Sequence, residues 1–73
     1  SDVYKRQERI YEDLMELKSK GTAILLVSVE LDEIMSLSDR ILVMNQGTIV
    51  GETSSSNATE LDLGKMMSGL EKV

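Results

Sequence analysis

One stretch constrains this chain more than any other. Thr22-Ala23-Ile24-Leu25-Leu26-Val27-Ser28 is apolar without alternation and stops at a serine; Val29-Glu30-Leu31-Asp32-Glu33-Ile34 follows as a short acidic, amphipathic stretch. A strand apolar on both sides is ordinarily buried in the middle of a sheet, with layers above and below it. Ligands of open α/β sheets sit just beyond the carboxyl ends of such strands. Ser28, Val29 and Glu30 are therefore where a ligand site is expected.

The flanking segments fit an α/β reading. Val3 to Lys20 reads as a helix, with Val3, Ile10, Leu14 and Leu17 at helical spacing and Tyr11 beside them. Acidic residues precede Lys18 and Lys20, which suits the helix dipole, and Gly21 is placed as a left-handed stop. Glu30 to Ser36 reads as a short helix capped by Ser28. Arg40 to Met44 and Thr48 to Gly51 read as strands. The intervening Asn45-Gln46-Gly47 is a hairpin signal that makes the two strands antiparallel neighbours. Residues 53–58 form a polar, Ser-rich linker. A last helix over 59–69 is capped by Thr59 with Asp62 three residues on, presents Leu63, Met66 and Met67, and ends at Gly69. The expected order is helix, strand, helix, strand, strand, helix, in one partial domain over 1–73. Its α/β part runs over 8–52 and ends in the hairpin. The unalternating strand implies a parallel sheet whose other strands lie upstream.

Composition removes several classes of function. The chain has 73 residues, no cysteine and no histidine. Disulfides, thiolate metal sites and a serine–histidine triad are thereby excluded. Tyr4 and Tyr11 are the only aromatics and the net charge is −5, which argues against a nucleic-acid binder that stacks bases or neutralises phosphate. No apolar run approaches the ~20 residues that span a bilayer.

The residues that could carry chemistry are few. Glu30 and Glu33 share a helix face, but two carboxylates make a poor metal site, and a solvated helix face is the plainer reading. Ser28 reads as a cap or turn serine. Asp39-Arg40 reads as an anchor between helix and strand, and Met66-Met67 as packing surface. Asn57-Ala58-Thr59 has the spacing of a glycosylation acceptor, with no secretion signal beside it. The glycines are too dispersed to cradle phosphate, and no Gly-x-x-x-x-Gly-Lys-Ser/Thr loop is present. Residue chemistry alone gives a non-catalytic piece of a soluble α/β protein, with no catalytic and no metal-binding residue.

The run Ile24-Leu-Leu-Val-Ser-Val-Glu-Leu-Asp-Glu-Ile34, then Ser38-Asp-Arg-Ile-Leu-Val-Met44, then Gly47-Thr-Ile-Val-Gly51, resembles the carboxyl-terminal part of an ABC-transporter ATPase domain. The ending Glu60-Leu-Asp-Leu-Gly-Lys-Met-Met-Ser-Gly69 resembles the close of the fused, double-ATPase subunits that drive import of simple sugars and nucleosides. The resemblance covers Ile10 to Gly69. It implies a fragment of an ABC-type P-loop ATPase domain, from the second nucleotide-binding half. In that family the strand ends in Ser-His, and the histidine reaches the ATP γ-phosphate. Val29 occupies that position here and can neither donate a hydrogen bond nor orient a water. Ser-x-Glu is similar to the degenerate second half of the fused subunits, so Ser28, Val29 and Glu30 would lie near the γ-phosphate only in the intact subunit.

The phosphate loop, the signature motif and the magnesium-holding strand lie upstream of Ile10 in the family and are not found here. The resemblance therefore implies ATP and magnesium as cofactors of the intact parent, an ATPase, and none for this chain, which should neither bind nor hydrolyse ATP alone. It implies two partners, the rest of the ATPase subunit and a membrane permease, and a place on the cytoplasmic inner face of the membrane. Residues 1–7 do not match; they read as a foreign junction on a truncated reading frame, or as a diverged helix start. A stand-alone α/β interaction module is the alternative, and a small metal-dependent enzyme using Glu30 and Glu33 the weakest. The Ile24–Val27 strand without neighbours is expected to promote self-association and low stability.

Overall fold

The computed structural model describes the backbone of residues 2–69 and the side chains of residues 7–69. The side chain of Val3 and most of the junction expected over 1–7 lie outside the described residues. The chain is mixed α/β: two helices, an antiparallel hairpin and a third helix.

Helix α1 spans Asp2–Ser19, with Lys18 in its last turn, where a cation complements the helix dipole. The Gly21 N–H donates to the Lys18 carbonyl at 2.9 Å and the Thr22 N–H to the Leu17 carbonyl at 3.1 Å. With Gly21 at φ +88°, this is a Schellman ending, and the expected glycine stop is in place.

The strand expected over Thr22–Ser28 does not form. The segment runs unpaired from Gly21 to α2, with Leu25 90% and Val27 87% exposed. Strand conformation is held by the ladder bonds of a neighbour. The only sheet among the described residues contains two strands, which pair with each other, and nothing described offers this segment a ladder. The apolar composition that predicts burial in a sheet therefore remains in solvent.

Helix α2 spans Leu31–Leu37 and carries Asp32 and Glu33 in its first turn. Its N-cap is Glu30, without a side-chain cap bond, so the cap expected of Ser28 is not made. Strands β1 (Arg40–Asn45) and β2 (Thr48–Ser54) pair antiparallel, as the hairpin signal predicts. Gln46 (φ 50°) and Gly47 (φ 77°) form the two-residue loop, and positive φ at both central residues matches the strand twist. Strand β2 runs further than expected, because Thr53 and Ser54 pair with Ile41 and Arg40 instead of joining the linker. Val43 faces Gly51 and Met44 faces Ile49, which leaves Val50 as the extra residue of a bulge. The bulge breaks the alternation and turns both Val50 and Gly51 inward.

Helix α3 spans Glu60–Met67. The Thr59 hydroxyl accepts the Asp62 N–H at 3.1 Å, the cap read from the sequence. Gly69, at φ +80°, follows the helix as its stop. At the other end of the packing, the Asn45 amide donates to the Met67 carbonyl at 2.8 Å, satisfying an acceptor in the last turn of α3 from the hairpin.

The buried core is Ile41, Val43, Val50, Leu63 and Met66, one face of the hairpin closed by α3. Leu31, Ile34 and Met35 of α2 pack against it, partly buried. Among the described side chains, none of helix α1 belongs to that core, although Tyr11, Leu14 and Met15 are half-buried. The helix is tied down by polar links instead: Tyr11 to Glu33 at 3.0 Å, and Lys18 to Asp39 at 2.7 Å. Asp39 and Arg40 thus anchor the chain, but to different residues, since Arg40 pairs with Glu52 across the hairpin. Among the described residues, no helix is long and apolar enough to cross a membrane.

Candidate functional site

Ser28, Val29 and Glu30 sit where the unpaired segment turns into α2. The turn is held locally. The Glu30 N–H donates to the Ser28 hydroxyl at 3.0 Å, and the Ile34 N–H donates to the Glu30 carbonyl at 3.0 Å to open the helix. The Ser28 hydroxyl thereby spends one of its two acceptor positions on the turn and keeps the other and its proton. Val29 is 80% exposed and presents an isopropyl group to solvent, with no polar atom for a ligand. The side chain of Glu30 is exposed.

The charge around this turn is acidic. Glu33, one helical turn beyond Glu30, accepts the Tyr11 hydroxyl. That bond, then partial burial, then the negative charges of Glu33 and Glu30, push the Tyr11 hydroxyl above its ordinary pKa. Glu33 is thus committed to holding α1, which leaves Glu30 without a second free carboxylate on its face. Among the described residues, no group of three or more acidic side chains lies close enough to hold a metal ion.

Beside the turn is an apolar cleft of about 740 Å³. Its walls are the unpaired segment through Ile24, Leu26 and Val29, and strand β1 through Leu42 and Met44, with Ile34 of α2 between them. A smaller pocket of about 210 Å³ lies between β2 and α3, lined by Glu52, Asn57 and Asp62 among others. In the small pocket, Glu52 is engaged by Arg40, whose hydrogen bond holds the Glu52 carboxyl below its usual value against the opposing effect of burial.

This arrangement has one serine engaged in its own turn, one valine and one exposed carboxylate at its expected centre. It offers no nucleophile–base pair and no cradle of backbone donors. What sequence reasoning missed is structural: the pairing of Tyr11 with Glu33, Lys18 as the partner of the anchor Asp39, and the bond from Asn45 to the Met67 carbonyl. Tyr11 had a signal, an aromatic hydroxyl on the edge of an apolar stripe. Asn45 had none beyond its place before the turn.

Comparison with known proteins gives consistent relatives. The chain is 44% identical over 62 residues to the guanosine import ATP-binding protein NupO of Bacillus subtilis, a match covering 85% of this chain and 12% of the relative. It is 42% identical over 69 residues to the ribose import ATP-binding protein RbsA of Clostridium perfringens, covering 94% of this chain and 14% of the relative. It is 48% identical over 59 residues to the arabinose import ATP-binding protein AraG of Ralstonia nicotianae, covering 81% of this chain and 11% of the relative. The chain thus spans only 11–14% of the length of these curated relatives. No family model and no solved structure matches it.

Proposed function

We infer that this chain, a member of the family of ATP-binding subunits that serve ABC importers of sugars and nucleosides, is the carboxyl-terminal part of the second nucleotide-binding half of such a subunit. The observation that carries this reading is the identity of 41–48% to ribose, arabinose and guanosine import proteins across most of the chain. In the intact subunit, Ser28, Val29 and Glu30 lie beside the γ-phosphate of a composite site. With Val29 in the place of a histidine, that site has lost the side chain that would hold a water or a phosphate oxygen. ATP and magnesium are ligands of the parent, held by residues this chain does not carry. The chain alone is inactive, because phosphoryl transfer rests on positioning and charge stabilisation by a phosphate loop and its magnesium.

The parent's partner is a membrane permease, and its place is the cytoplasmic side of the membrane. Calorimetric titration of the 73-residue chain with ATP and magnesium should show no saturable heat. Micromolar binding would overturn the inactivity. The parent assignment is tested separately by the coding sequence upstream, which should contain, in frame, a phosphate loop and a signature motif.

A further inference from the structure

Helix α2 has little support of its own. It has seven residues, no side-chain cap at its N-terminus and no fully buried side chain. A helix of about two turns is marginal without tertiary contacts. Leu31, Ile34 and Met35 rest against the core formed by the hairpin and α3. Among the described residues, one side-chain hydrogen bond reaches α2 from another element: the Tyr11 hydroxyl donates to Glu33 Oε2 at 3.0 Å. Both residues are half-buried, and they lie 22 positions apart in sequence. A bond to a carboxylate is directional and stronger than one between neutral groups.

Glu33 belongs to the first turn of α2, the turn that opens at Ser28–Glu30. The Ile34 N–H donates to the Glu30 carbonyl, and the Glu30 N–H to the Ser28 hydroxyl. These two bonds are local. They fix the shape of the turn and not its place relative to α1. The bond from Tyr11 supplies that second constraint, and the negative charge of Glu30 also acts on the Tyr11 hydroxyl.

We propose that Tyr11 is a positioning residue for the Ser28–Glu30 turn, acting through Glu33. By holding the first turn of α2 against α1, it sets where the Ser28 hydroxyl and the Glu30 carboxylate stand. The geometry is the chain's own; that this turn faces the γ-phosphate of a nucleotide rests on the function proposed above. Polar groups beside a phosphate lose much of their effect on small displacements, so Tyr11 governs the fit of the nucleotide without touching it.

The test has two arms. In the 73-residue chain, Tyr11→Phe removes only the hydroxyl. It should shift the amide resonances of Val29 and Glu30 and speed exchange of the Ile34 N–H several-fold, with the Leu63 N–H of α3 unchanged. Glu33→Ala should do the same, and Tyr11→Phe added to it should do nothing more. Glu33→Gln keeps an acceptor oxygen and should retain the native pattern. Unmoved Val29 and Glu30 resonances in Tyr11→Phe, or effects that add in the double variant, overturn the proposal. In the intact subunit, ATP with magnesium should protect the Ser28–Glu30 peptide from hydrogen exchange. Tyr11→Phe should raise the ATP concentration for half-protection several-fold, and Glu33→Gln should leave it near native. Native protection with an unmoved midpoint in Tyr11→Phe overturns the proposal. A native subunit whose peptide ATP leaves unprotected counts against the parent assignment instead, and the first arm then decides on Tyr11.

Discussion

The sulfur of Met66 lies where a side chain on Gly51 would have to go. A Cβ built on Gly51 collides with Met66 Sδ, and Met66 is itself buried between α3 and the hairpin. The bulge at Val50 is what turns Gly51 inward against the helix. Gly51→Ala is therefore expected to destabilise the chain by about 1–3 kcal/mol, the usual cost of overfilling a packed site. Urea denaturation of the two proteins measures the difference, and a smaller residue than methionine at 66 should recover part of it.

Leu63 is the most deeply buried of the described side chains, 1% exposed. Its truncation to alanine should cost about 2–5 kcal/mol, as for other buried leucines. A single core in a domain this small supplies roughly 3–5 kcal/mol. Leu63→Ala is accordingly expected to be largely unfolded at room temperature, seen as loss of the cooperative thermal transition.

Gln46 holds a left-handed conformation at φ 50° beside Gly47. A side chain other than asparagine or aspartate carries a penalty there of roughly 1–2 kcal/mol. Gln46→Asn should recover part of this and raise the midpoint of denaturation without changing its slope.

The pairing of Arg40 with Glu52 gives the hairpin a defined pH response. The arginine's hydrogen bond, its first cause, lowers the Glu52 pKa in the folded chain. A depressed carboxyl contributes stability above its unfolded value and loses it as pH falls through the folded value. The stability difference between the native chain and Glu52→Gln should be present at neutral pH and vanish in acid below the ordinary glutamate range.

Tyr11 behaves with the opposite sign. Its raised pKa means that the link to Glu33 stabilises below the tyrosine's ordinary value and is lost as pH rises through the higher folded one. A Tyr4→Phe background isolates Tyr11, whose ultraviolet titration should come at higher pH than free tyrosine. Tyr11→Phe should speed amide exchange in α1 and leave α3 unchanged.

Local signals were legible where the chemistry is local. Gly21 and Gly69 as helix stops, Thr59 as a cap and Gly47 as the turn glycine all follow from short-range backbone geometry, and all are where the residues place them. Thr22–Ser28 was misread for the converse reason. Its composition reports what surrounds it in a complete sheet, whereas its conformation depends on a ladder that nothing described provides. Thr53 and Ser54 read as linker because they are polar, yet cross-strand pairing with Ile41 and Arg40 decides them. At the candidate site, the sequence pointed to Ser28, Val29 and Glu30. It did not show that the Ser28 hydroxyl would accept Glu30's own amide, a local turn bond, or that Glu33 would be held by Tyr11, which depends on how α1 and α2 approach each other.

Among the described residues, all five buried core residues fall between Ile41 and Met66, so the hairpin and α3 hold that core between them. The hairpin and α3 thereby share one buried core and are expected to open as one cooperative unit. Among the described residues, α1 and the segment after it attach through the Tyr11–Glu33 and Lys18–Asp39 links and through half-buried Leu14, Met15 and Leu26 at the apolar cleft, outside the buried core. Limited proteolysis within Thr22–Val29 should release α1 and leave behind a fragment that still melts as a unit.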